Sequence, residues 1–165
     1  MKLTVTNKID LGGGSTVTDE QGNEIFKVKG KLFSITRKKF IMDADGNRLY
    51  TVRRKFWRGF SRASLIYDGD GNKVLKMYAK AFAFENKYRT KGYEGDLILD
   101  SKAFSGKYDI IENETTIGVL RRTNLLVADE FELEFEEESR AAFFVALALA
   151  VDSIRDEQKE ERRKR

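Results

Sequence analysis

The sequence predicts a mainly β (α+β) fold: a closed antiparallel barrel of about twelve strands around a buried C-terminal helix. Three observations lead there. Residues 141–151, AAFFVALALAV, contain no polar side chain, and their larger members fall all round a 3.6-residue wheel. A helix that is apolar on every side has to be wrapped on every side. Second, one hairpin pattern, Asp-x-x-Gly-Asn between alternating stretches, occurs three times in the first half. Third, the residues before the helix supply about twelve strands at roughly 11 residues per strand and turn, enough to close a wall. A β-sandwich with a lid helix is the alternative, but it leaves one side of the helix wet.

In chain order, Met1–Lys8 alternates and offers no apolar signal-peptide core. Leu11-Gly12-Gly13-Gly14-Ser15 lacks the Gly-Lys-Ser/Thr ending of a phosphate loop and reads as a connection between the first two strands. The repeats are Val17–Val28, Ile41–Val52 and Ile66–Met77. In each, Asp bonds its own downstream backbone, while Gly and Asn tolerate the positive φ of a tight hairpin. Period-two alternation turns Phe26/Val28, Tyr50/Val52 and Leu75/Met77 inward and Lys27, Thr51 and Lys76 outward. A fainter copy spans Ile110–Leu120. Further extended stretches are expected at Leu32–Lys39, Ser61–Tyr67, Phe82–Tyr88, Tyr93–Leu99, Ser105–Ile110 and Ala128–Phe135, with no Pro to interrupt them.

The helix follows, near 139–155. Eleven apolar residues make only about 16 Å of helix, half a bilayer core, so it is expected inside protein and not across a membrane. Asp152 ends the apolar run, where it is expected to accept bonds from barrel-rim donors and plug the barrel, the alternative being that it marks a site at the barrel mouth. Residues 1–155 form the single expected domain, and 156–165 read as a frayed, charged, solvated tail.

The chain has no Cys and no His. That removes disulfides, thiolate chemistry, the commonest zinc ligands and the commonest general base. A non-enzymatic protein without cofactor or metal is the expectation, cytoplasmic or peripheral to a membrane. Net charge is +4, but residues 1–80 hold 17 Lys/Arg against 8 Asp/Glu. The basic excess belongs to the first half and suits an anionic partner.

Arg53-Arg54-Lys55-Phe56-Trp57-Arg58-Gly59-Phe60-Ser61-Arg62 is the densest basic-aromatic stretch and holds the only Trp. Arg53, Arg54, Lys55, Arg58 and Arg62 supply charge for phosphate, and Trp57 suits an interfacial layer or a base face. Lys27, Lys29 and Lys31 alternate outward on one strand and extend that surface, followed by Arg37, Lys38 and Lys39. An anionic phospholipid surface or a phosphoinositide is the expected partner. Nucleic acid on the same face is the alternative, and a small-ligand site at the barrel mouth is a third reading that a helix-filled barrel opposes. Asp43–Asn47 and Asp68–Asn72 imitate the start of a calcium loop, but the sixth positions are Arg48 and Lys73 and the twelfth Arg54 and Ala79. The turn reading wins.

The hairpins, together with Val28-Lys29-Gly30-Lys31-Leu32-Phe33-Ser34-Ile35 and Val145-Ala146-Leu147-Ala148-Leu149-Ala150-Val151-Asp152, resemble the LURP-one-related proteins. These belong to the tubby C-terminal-like superfamily, which also includes the phospholipid scramblases. The resemblance covers roughly residues 3–155. It implies a twelve-stranded barrel around a buried C-terminal helix, the architecture the residues suggest independently. Tubby domains bind phosphoinositide headgroups through basic residues, and scramblases act at membranes with calcium and an added membrane-associated segment. The sequence shows no added segment of that kind, so lipid scrambling is not expected. Tubby's headgroup motif does not align residue by residue, and no site is carried over from it.

Overall fold

The computed structural model describes residues 1–7, 14–31, 34–55, 61–80, 87–101, 105–124 and 129–164. Its strands are β1 (Lys2–Asn7), β2 (Ser15–Thr18), β3 (Glu24–Gly30), β4 (Lys39–Met42), β5 (Arg48–Arg54) and β6 (Ser61–Asp68). They continue as β7 (Lys73–Lys80), β8 (Lys87–Lys91), β9 (Leu97–Asp100), β10 (Lys107–Glu112), β11 (Thr115–Asn124) and β12 (Asp129–Phe135). Each strand pairs antiparallel with its sequence neighbour, and β1 pairs with β12, so the barrel is closed. Closure leaves no free sheet edge. A 3-10 turn over Glu138–Arg140 leads into α1 (Ala141–Arg163).

The two ends of the barrel differ. At the turn end the three repeats behave as their sequence dictates. Asp19, Asp43 and Asp68 each accept the backbone N–H of the Asn four residues on, at 2.8 Å, and that Asn's Nδ2. Gly22, Gly46 and Gly71 take φ of +83°, +84° and +87°, where a side chain would be strained. The Asn side-chain bond is the largest of the causes holding these carboxylates below their usual range. The fainter fourth hairpin turns on Asn113 and Glu114, both with positive φ, as a two-residue type I′ connection requires. The helix also starts at this end. Arg140 forks onto Glu112 at 2.8 and 3.1 Å and donates to Tyr93 Oη at 2.7 Å, while Tyr93 donates to Glu112 at 2.5 Å. The Arg140 bond holds Glu112 below the ordinary carboxylate range, and burial pushes Tyr93 up to about 12.

Inward residues of the strands, Ala141 and the run Phe143–Val151 form one core. Leu147 and Val151 on one side of the helix and Leu149 on the opposite side are all fully buried, as an all-round apolar helix requires. Phe144 stacks on Phe135 with centroids 4.3 Å apart. Val28, Val52, Leu75 and Met77 point inward, with Phe26 and Tyr50 packed against the same core.

At the other end, the mouth, the interior turns polar, and here the structure corrects the sequence reading. The expected frayed tail over 156–165 is corrected over residues 156–163, where α1 continues to Arg163, with Asp152 and Glu157 buried. The cause is the barrel wall. Lys39 shares the inward parity of Ile41, and its Nζ lies 3.0 Å from Asp152, which also accepts Asn7 Nδ2 at 3.3 Å. Arg54 shares the inward parity of Val52 and donates to Glu160 at 3.0 Å; Arg37 reaches the same carboxylate at 2.5 Å. Asp152, Asp156 and Glu160 recur every four residues, so one helix face carries all three. Burial and neighbouring Asp152 push Asp156 up, against Lys39 and Arg54. Burial is the largest single influence on Glu160 and opposes its ionisation too, but the bond and charge of Arg54 together with the charges of Arg37 and Lys164 outweigh it and hold that carboxyl low.

Two expected strands also shorten. In Leu32–Lys39, residues 34–38 form a turn, because the Lys31 N–H bonds the Lys38 carbonyl at 2.8 Å and closes it. In Tyr93–Leu99, residues 93–96 bend and the strand begins at Leu97; Gly92 and Gly95 hold positive φ there.

Candidate functional site

The outer face of β3–β8 gathers the basic excess of the first half. Antiparallel register aligns Arg53 with Leu65, Leu65 with Lys76, and Lys76 with Lys91, one row across β5, β6, β7 and β8. A parallel row runs Lys29, Phe40, Thr51, Tyr67 across β3 to β6. Both rows have outward parity, so their cations share a surface. Between them β5, β6, β7 and β8 contain one carboxylate, Asp68, already engaged in its own turn.

Lys76 is the centre of this wall. It faces Lys91 directly, an arrangement that costs stability in a sheet. Both ammonium groups lie over the Tyr78 ring, 5.5 and 5.7 Å from its centroid. Burial and the charges of Lys55, Lys91 and Lys73 push the Lys76 ammonium below its usual range. Arg53 lies over the Tyr67 ring at 5.2 Å and donates to its hydroxyl at 2.7 Å, which holds the guanidinium against the wall. An open groove of about 290 Å³ adjoins on β3 and β4, lined among others by Lys27, Lys29, Ile25 and Met42.

The residues singled out from sequence therefore divide. Arg53 and Lys55 stand on the wall, and Lys27, Lys29 and Lys31 are exposed at its β3 side. Lys27 pairs with Glu24 at 3.8 Å. Arg54 does not join them: it is 8% exposed and committed to Glu160, because strand alternation turns alternate residues of a basic run inward. Arg62 shares the parity of buried Ser64 and Ile66 and is half-buried. Trp57 and Arg58 lie outside the described residues. The sequence reading placed Lys76 outward without assigning it a role and passed over Lys91. Parity carried the first signal; the second needed the β7–β8 register, which pairs residues 15 apart.

The LURP-one-related family model matches residues 1–152. The chain belongs to this family. Among its relatives, Protein LURP-one-related 10 of Arabidopsis thaliana is 27% identical, over 90% of this chain and 86% of that protein. Protein LURP-one-related 15 of the same plant is 25% identical, over 89% and 76%. An X-ray structure of an Arabidopsis thaliana protein matches with a TM-score of 0.56 at 15% identity, covering 88% of each chain, a likeness of fold. Membership agrees with the barrel-and-helix architecture and with a place in the tubby-like superfamily. No helix among the described residues is long and apolar enough to cross a membrane.

Proposed function

We propose that this LURP-one-related chain is a non-enzymatic module that docks the outer face of β3–β8 on anionic phospholipid headgroups. The observation that carries the reading is the Lys76–Lys91 juxtaposition, flanked by Arg53 and Lys55, with Asp68 the one carboxylate on β5–β8 among the described residues. Like charges held side by side are unfavourable in the free protein and become favourable against a negative surface. The wall is broad and has aromatic rings, Tyr67 and Tyr78, beneath its cations. That suits many headgroups spread over a plane.

Sedimentation with phosphatidylcholine vesicles, with and without phosphatidylserine, tests the reading. The parent protein is retained on the anionic vesicles only. Lys76→Glu with Lys91→Glu changes the wall by four charges, each worth about 1 kcal/mol at such a surface, and weakens retention roughly a hundredfold or more. No retention of the parent protein contradicts the reading. If the parent instead binds an oligonucleotide with a steep salt dependence and ignores vesicles, nucleic acid replaces lipid as the partner of this face.

A further inference from the structure

Among the described residues, two large apolar side chains are exposed, Met1 at the turn end and Ile35 at the mouth, and Ile35 is 83% exposed. It occupies the turn over residues 34–37 between β3 and β4. That turn is built firmly. Arg37 N–H bonds the Ser34 carbonyl at 2.9 Å, the Thr36 carbonyl accepts Arg54 N–H at 2.8 Å, and the Arg37 guanidinium holds Glu160 of α1. Arg37 sits at φ +46°, a conformation that non-glycine residues seldom adopt and that surrounding structure has to impose. Bonds to β5 and to the helix therefore fix the turn while Ile35 stays in water. Lys31 and Lys38 flank it in sequence, and the Thr36–Arg54 bond brings it beside exposed Lys55 at the edge of the cationic wall.

We propose that Ile35 is the apolar anchor of this module, entering the interfacial layer of an anionic bilayer while Lys31, Lys38 and Lys55 meet the headgroups. The inference rests on the docking reading above and adds the side chain that enters and the end of the barrel that tips toward the lipid. Charge alone holds a protein at the headgroup plane; one apolar side chain projecting beyond the cations adds a short-range grip.

The absence of cysteine makes the test direct. Ile35→Cys, labelled with the environment-sensitive fluorophore NBD, is mixed with phosphatidylcholine vesicles with and without phosphatidylserine. Gln21→Cys, at the turn end, carries the same label as a reference. The label at 35 shifts to the blue and becomes shielded from dithionite on anionic vesicles only, and the label at 21 stays in water. Unlabelled Ile35→Ser keeps the parent's melting temperature and loses about three- to tenfold in vesicle retention. If the parent is retained while the label at 35 remains in water, the anchor is overturned and the docking reading survives. If neither is retained, both fall.

Discussion

Lys39 points into the barrel mouth and ends 3.0 Å from Asp152; Lys76 points out of the wall and faces Lys91. Both are strand lysines of the basic half of the chain. The interior one is matched, as a charge withdrawn from water has to be. The exterior one is placed among its own kind, a choice that folding alone does not reward. Elsewhere the outer surface is matched: on β11 and β12, Arg121 lies 3.0 Å from Glu134, and on β1, Lys2 lies 3.9 Å from Glu132. Among the described residues, Lys76 and Lys91 thus stand apart as neighbouring cations of the outer wall, and the difference separates charges that hold the fold from charges suited to a partner.

Removing an interior partner produces the largest effect on stability. Lys39→Met leaves Asp152 buried without its cation and costs about 3 kcal/mol in urea unfolding; adding Asp152→Leu brings stability back to within about 1 kcal/mol of the parent. A second matched charge lies at the turn end. Glu112→Gln costs about 1.5 kcal/mol at neutral pH by weakening the Arg140 fork. The folded Glu112 carboxyl sits below its ordinary value, so its contribution is full above the unfolded value, about 4.3, and is lost as pH falls through the lower folded value. Acid titration of stability is therefore flatter in Glu112→Gln than in the parent. The smallest effect has the opposite sign. Lys76→Gln relieves the Lys91 contact and stabilises the fold by about 0.5 kcal/mol, whereas Arg121→Gln on the matched wall does not stabilise it. The Lys76 ammonium lies below its usual range, so its cost is present below the folded pKa and is relieved as pH rises through it. A Lys76→Gln variant less stable than the parent erases the distinction between the walls.

Much of the fold was legible in the chain. The all-round apolar run 141–151 required an enclosure, and three Asp-x-x-Gly-Asn turns showed how to build one. The mouth was harder. Lys39 and Arg54 each lie two residues from an inward Ile41 or Val52, so alternation alone pointed them inside. Reading Arg53–Arg62 as one basic stretch hid that parity. The helical nature of residues 156–163 was masked by their charge, because Glu160 looks solvated until Arg37 and Arg54 are brought to it from over a hundred residues away. The Lys76–Lys91 contact depends on strand register, which no local pattern in the sequence specifies.

The docking surface is tested most directly by amine labelling of the unmodified protein, with and without phosphatidylserine-containing vesicles, read lysine by lysine. Protection of Lys55, Lys76 and Lys91 on anionic vesicles, with Lys107 on β10 labelled equally in both conditions, is the predicted result. Vesicle-bound protein in which Lys76 and Lys91 label as freely as Lys107 contradicts the assignment of this wall.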